Sequence, residues 1–208
     1  MSKFRLGVMV SGRGSNLQAI IDSIEAGYLH AEIAIVVSNR PNALAIDRAK
    51  RQGIAVAIFD RSEYSSRHDR DMAMLKCLRQ HNLDLVVMAG YDQLVADALL
   101  LEFEGKIINI HPSLLPAFAG GLHAQRDAFE YGVKISGCTV HFVTLGPADG
   151  GPIILQKAVP VLDDDTAGKL AGRILNEEHI ALPEAIGLFV ERRIELEGRR
   201  VRVRRVTG

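Results

Sequence analysis

The 208 residues suffice for one substantial core, and an apolar fraction of 48% with 24% charged residues excludes a disordered or fibrous chain. Lysine plus arginine number 25, as do aspartate plus glutamate, so a net charge of zero offers no global attraction to nucleic acid or an anionic membrane. With no apolar run near the roughly 20 residues of a membrane-spanning helix, no cleavable signal pattern, and only Cys77 and Cys138, the expectation is one cytoplasmic domain over 1–208 with reduced thiols.

Phe4 to Val10 is an apolar, β-prone run followed at once by Ser11-Gly12-Arg13-Gly14-Ser15-Asn16 and the helical spacing Leu17, Ile20, Ile21, Ile24. Strand, glycine loop and helix in that order let the backbone approach a ligand, and the free N–H groups at the helix start favour an anion. Leu17 stands where a dinucleotide fingerprint has its third glycine, and no Gly-Lys-Ser/Thr follows, so a simple phosphate monoester fits better. A tight turn with Ser15 or Asn16 as helix cap is the other reading, and local sequence leaves both open.

Further strands are expected at 31–37 and 54–59, with a helix over 43–52 between them. A polar loop over 62–70 leads into a helix over 71–81, whose Met72, Leu75 and Leu78 share one side. A buried strand spans 83–89, a short helix 95–101, and then comes Ile107-Ile108-Asn109-Ile110-His111-Pro112. The isoleucines suit a buried strand and Pro112 cannot continue a central ladder, so Asn109 and His111 stand where strand gives way to loop. Two residues apart, they point to the same side of the strand, an amide donor beside an imidazole. That pairing suits holding an oxyanion and moving a proton, although an isolated Asn-x-His can equally serve a turn and a buried hydrogen bond.

After a loop through Gly120-Gly121, a helix is predicted over 124–131, a strand over 133–143, a glycine-rich loop 148–152 containing Asp149, and a strand over 153–161. Thr166 caps a long helix running past Pro183 to Arg192. The stretch 195–206 alternates arginines with valines around a turn at Glu197-Gly198. Lacking interleaved aromatic residues, it reads as a hairpin with a charged edge rather than a nucleic-acid surface. Strands alternating with helices predict an α/β fold: a doubly wound, mostly parallel sheet with helices on both faces and antiparallel additions in the C-terminal part. Ligands belong at the carboxyl ends of such strands, where the glycine loop and the Asn-x-His segment both lie.

Four motifs in order, Gly-x-Gly-Ser-Asn-Leu-Gln (12–18), Asn-Ile-His-Pro-Ser-Leu-Leu-Pro (109–116), Gly-Cys-Thr-Val-His-Phe-Val (137–143) and Asp-Gly-Gly-Pro-Ile-Ile-Leu-Gln (149–156), closely resemble those of the phosphoribosylglycinamide formyltransferases over nearly the whole chain. The resemblance implies transfer of a formyl group from 10-formyltetrahydrofolate, as co-substrate, to the amine of glycinamide ribonucleotide in purine synthesis. It implies that Asn109, His111 and Asp149 are catalytic, with Asp149 raising the pKa of a protonated His111. It places the acceptor's phosphate at Gly14, Ser15 and Asn16, its ribose side at Glu178, and folate along Tyr91, Asp92, Gln93, Leu94 and Val95. No metal, nucleic acid or membrane is expected as partner, and the assembly is a monomer or homodimer; His123 and His141 read as loop and strand residues. Related transfer-RNA formyltransferases and formyltetrahydrofolate hydrolases carry extra domains that are not expected here, and a folate- or phosphate-binding module without catalysis is the remaining rival.

The chain also departs from that pattern. Asp92-Gln93-Leu94-Val95 replaces Met-Arg-Ile/Leu-Leu, so Asp92 is expected to face solvent or pair with a cation such as Arg67. Ser65 and Ser66 stand near the usual folate-contacting arginine, with Arg67 as its substitute. The loops 118–123 and 144–148 are each one residue longer, and all these differences fall on the side expected to hold folate.

Overall fold

A computed structural model of the chain describes residues 3–205. The fold comprises two compact units, Met1–Asn109 and Ile110–Gly208, divided within one strand.

In the first unit β1 (Phe4–Val10), β2 (Ala31–Ser38), β3 (Val56–Ile58), β4 (Leu85–Met88) and β5 (Ile107–His111) lie in the order β3-β2-β1-β4-β5, every pairing parallel. The central strands are apolar at successive positions because both faces are covered: Leu6, Val8, Met9, Val86 and Val87 have no exposed surface. Among the crossovers, α1 (Ser15–Glu25) packs with α2 (Leu44–Arg51), and α3 (Arg67–Arg79) with α4 (Asp97–Glu102). The strand order, reversing direction from β1, is that of a doubly wound sheet.

Two expectations change in this unit. The helix expected from Asp71 begins at Arg67, because Ser66 is its cap and accepts the Asp69 N–H at 3.1 Å; the polar run 62–70 contains a helix start rather than only a loop. Met72 is exposed, and the buried side is Met74, Leu75 and Leu78 together with Arg70 and Asp71. These two charges tolerate burial because the Arg70 guanidinium bonds Asp71 Oδ1 at 2.7 Å.

The second unit contains α5 (Ala124–Tyr131), β6 (Ile135–Phe142), β7 (Ile153–Pro160), α6 (Ala167–Val190), β8 (Ile194–Glu197) and β9 (Arg200–Val203). Its strands follow the order β6-β7-β9-β8; β6 with β7 and β8 with β9 are antiparallel, while β7 meets β9 in parallel at Ile153 and Arg200. Thr166 caps α6 as expected, accepting the Lys169 N–H at 3.2 Å, and the helix continues through Pro183. Leu170, Ile174, Leu182 and Ile186 bury its apolar stripe, and α6 packs on β6, β7 and α5. Two of the terminal arginines pair within the hairpin, Arg202 with Glu197 at 3.0 Å and Arg204 with Glu195 at 3.1 Å. Val206, the last residue of the expected hairpin, lies outside the described residues.

Candidate active site

In the first unit the glycine loop follows β1. Gly14 is the N-cap of α1 in a left-handed conformation, φ 71°, with no side-chain cap, so neither Ser15 nor Asn16 serves as the cap. A Cβ on Gly14 would lie 2.6 Å from the Ala45 Cβ and 2.7 Å from its Cα, so both conformation and space demand glycine. Ala45 is held there by its N–H, which donates to the Gly12 carbonyl at 3.1 Å. Asn16 is buried and Ser15 half-buried at the start of the helix.

The segment 91–95 follows β4. Tyr91 is buried, and that burial pushes its phenol up to about 12. Gln93 accepts a hydrogen bond from Arg70, and the Leu94 carbonyl accepts one from Arg67 Nη2 at 2.9 Å, leaving the Leu94 side chain exposed and Val95 buried. Asp92 does find a cationic partner, as expected, but that partner is Arg40 rather than Arg67. Its carboxylate is bonded to Arg40 and accepts Asn39 Nδ2 at 2.9 Å, while Arg67 is occupied by Asp71 at 3.3 Å and by that carbonyl.

β5 carries Asn109 and His111 at alternate positions, so they share a side of the strand as the spacing predicted. Beyond it the chain is anchored through Thr139 of β6. Thr139 Oγ1 donates to the Ser113 carbonyl at 2.7 Å and accepts the Leu115 N–H at 3.0 Å, and Gln156 Nε2 donates to both Thr139 Oγ1 and the Leu115 carbonyl at 3.0 Å. Ser113 Oγ then donates to the Ala117 carbonyl at 2.6 Å, closing the turn that leads to Phe118.

Within the second unit His111 and Asp149 come together. His111 Nδ1 lies 3.2 Å from Asp149 Oδ2, which also accepts the Gly120 N–H at 2.8 Å, and His111 Nε2 lies 3.0 Å from the Phe118 carbonyl. His141 Nε2 lies 3.5 Å from Asp149 Oδ1 and its Nδ1 2.8 Å from the Phe142 carbonyl. The carboxylate therefore stands between two imidazoles. Asp149 has φ 55°, and the following turn is tight: a Cβ on Gly151 would fall 1.8 Å from the Phe142 carbonyl oxygen. Loop 118–123 thus reaches the His111–Asp149 pair through Phe118 and Gly120. The Phe118 backbone is left-handed, φ 57°, with its ring edge-on to Tyr131 at 6.0 Å.

Burial lowers the His111 pKa from its ordinary value and outweighs the opposing charge of Asp149 and the Phe118 hydrogen bond. Asp149 pulls the His111 pKa upward, as expected, but desolvation is the larger effect and the net shift is downward, against the protonated ring. Burial works against ionised Asp149 too, yet the hydrogen bond from His141, the Gly120 N–H and the histidine charges together hold its carboxyl below the usual range. Both nitrogens of His111 face acceptors, so a neutral ring satisfies one contact and a second proton would satisfy the other. That is a group ready to gain and lose a proton.

The sequence reading missed Thr139, His141 and Gln156. Its available signal was the polar pair Thr139 and His141 within the mostly apolar run of β6. Glu178 lies buried on α6, where its charge adds to the burial that raises the Cys138 thiol to about 12. Among the described residues no group of three or more histidines, cysteines and acids is arranged to hold a metal ion, and no helix is long and apolar enough to cross a membrane.

The formyl transferase family model matches residues 4–186. The chain is 38% identical over 189 residues to phosphoribosylglycinamide formyltransferase of Escherichia coli, covering 91% of this chain and 88% of that one. It is 42% identical over 188 residues to the trifunctional purine biosynthetic protein adenosine-3 of Drosophila melanogaster; the match takes in 89% of this chain but only 14% of that protein's length. The crystal structure of glycinamide ribonucleotide transformylase 1 from Symbiobacterium toebii superposes with a TM-score of 0.93 at 52% identity, covering 97% of this chain and 94% of that one.

Proposed function

The chain belongs to the formyl transferase family, and from that membership we propose that it moves a formyl group from 10-formyltetrahydrofolate to the amine of glycinamide ribonucleotide in purine biosynthesis, acting in the cytoplasm as one formyltransferase domain. The observation that carries the reading is the His111–Asp149 pair at 3.2 Å, with His111 two residues beyond Asn109 on β5.

The chemistry follows from those groups. The acceptor amine attacks the formyl carbon, a C–N bond forms, and the carbonyl oxygen takes up negative charge. The Asn109 amide donates to that oxygen, and His111 takes up the proton that the attacking amine gives up, stabilises the charge as imidazolium, and passes the same proton on to the departing nitrogen. Asp149 holds the ring and stabilises the imidazolium. Collapse of the tetrahedral intermediate breaks the bond to the folate nitrogen, which receives the proton that the amine has given up. Gly14, Ser15 and Asn16 bind the acceptor's phosphate at the start of α1, and Glu178 its ribose side. Tyr91, Gln93, Leu94 and Val95 line the folate site, while the Asp92 carboxylate is drawn off to Arg40 and Asn39; Arg67, already bonded to Asp71 and Leu94, has an exposed guanidinium available to the folate tail.

Pure protein incubated with glycinamide ribonucleotide and 10-formyltetrahydrofolate is expected to yield the formylated acceptor by mass spectrometry, with none when either substrate is omitted. Formate release that needs no acceptor would instead mark a hydrolase, and binding without turnover a non-catalytic module.

A further inference from the structure

Next to the glycine loop lies a cavity of about 390 Å³ lined by residues 11–13 and 40–44. Arg13 and Arg40 are among its lining residues and no acidic side chain is, so its charge favours an anion. Arg40 is tightly built in at its backbone: its N–H donates to Ser38 Oγ at 3.1 Å, and that hydroxyl donates to its carbonyl at 2.9 Å. The guanidinium is bonded to Asp92, and Asp92 also accepts from the buried Asn39. The Asp92 N–H donates to Ser11 Oγ at 3.0 Å, and the Ser11 N–H to the Gly90 carbonyl at 3.1 Å. Asp92 therefore ties together the ends of β1, β2 and β4, and its carboxylate holds Arg40, a residue of the cavity lining.

Building on the formyl-transfer reading, we propose that Arg40, braced by Asp92, forms with Arg13 a cationic wall that binds the phosphate of the formyl acceptor alongside the glycine-loop N–H groups. Asp92 is then a positioning residue for the acceptor, not a contact for folate. A guanidinium has five N–H donors; the Asp92 contact is made through Nη2, leaving donors for a phosphate oxygen. An aspartate where the resembling family carries methionine thus has a physical reason: it fixes an exposed arginine that would otherwise lose rotamer freedom on binding.

The test measures inorganic phosphate affinity by calorimetry at low and high salt, together with KM for each substrate. Arg40→Met is expected to weaken phosphate binding and raise the acceptor KM by roughly five- to tenfold, the scale of one charge-assisted contact, and to flatten the salt dependence. Arg40→Lys should recover part of the loss. Asp92→Asn leaves an oxygen for Asn39 but releases Arg40; it should raise the acceptor KM while the folate KM stays within about twofold, as expected for sites that share no partner. Unchanged phosphate affinity in Arg40→Met overturns the proposal. So does an Asp92→Asn enzyme whose folate KM moves or whose acceptor KM falls, the latter meaning that Asp92 only neutralises Arg40. Should Asp92→Asn not fold, the two substitutions at exposed Arg40 decide the matter. Phosphate binding is read without turnover, so weakened binding in Arg40→Met stands even if the parent transfers no formyl group, and turnover in the parent stands even if Arg40 proves irrelevant.

Discussion

His111 is held between the Asp149 carboxylate and the Phe118 carbonyl in a nearly water-free position, and this determines both its chemistry and its effect on stability. Replacing Asn109, His111 or Asp149 by alanine should lower turnover by about a hundredfold or more, the scale of an oxyanion donor or general acid, with smaller changes in acceptor binding. Steady-state kinetics on the three purified variants checks this, and near-parental turnover in all three would remove the proposed centre. The His111 pKa is lower in the folded chain than its ordinary 6.5, so the unfolded chain binds the proton more readily. Stability from burying the neutral ring is therefore complete above the unfolded value and is lost as the pH falls from there through the lowered folded value. Denaturant midpoints should drop more steeply between about pH 7 and pH 5 in the parent than in His111→Gln; equal slopes would mean that the ring does not fold in its neutral form.

At the scale of elements, the glycine loop and its neighbouring helix form one device. Gly14 makes the left-handed entry to α1, and Ala45 of α2 comes so close that no side chain fits between them. Gly14→Val is expected to force α2 away from the loop. Calorimetry should show weaker acceptor binding with folate binding preserved, and the melting temperature should fall, since left-handed strain and a backbone clash together cost about 1–3 kcal/mol. Parental acceptor affinity would mean that the loop is only a turn. The helix α3 illustrates how an element's limits are decided: Ser66 captures the Asp69 N–H and starts the helix within a stretch whose polarity suggested a loop. Sequence pattern locates such elements well and their ends less well, because a cap is one hydrogen bond while an apolar stripe is many residues.

The whole molecule has no net charge, and three arginines of the C-terminal stretch are engaged: Arg202 with Glu197, Arg204 with Glu195, and Arg199 through Nη1, which donates to the Gly150 carbonyl at 3.0 Å. A single-stranded oligonucleotide should consequently be bound weakly or not at all at physiological salt, which fluorescence anisotropy can measure. Tight, salt-sensitive binding would show that the hairpin is a nucleic-acid surface after all.

The order of strands and helices, the doubly wound first unit, the glycine loop and the Asn109–His111 spacing were all legible in the chain, because each depends on local periodicity and on where glycine and proline interrupt it. The ordered motifs also carried the family. What only the tertiary structure decided are the partners of charged and polar groups far apart in sequence. Asp92 pairs with Arg40, 52 residues away, rather than with the nearer-numbered Arg67, and His141 joins His111 at Asp149. The protonation of His111 belongs to the same class. Its sign depends on whether desolvation exceeds the attraction of a nearby carboxylate, and both quantities arise from packing that brings distant residues within a few ångströms, which no local pattern encodes.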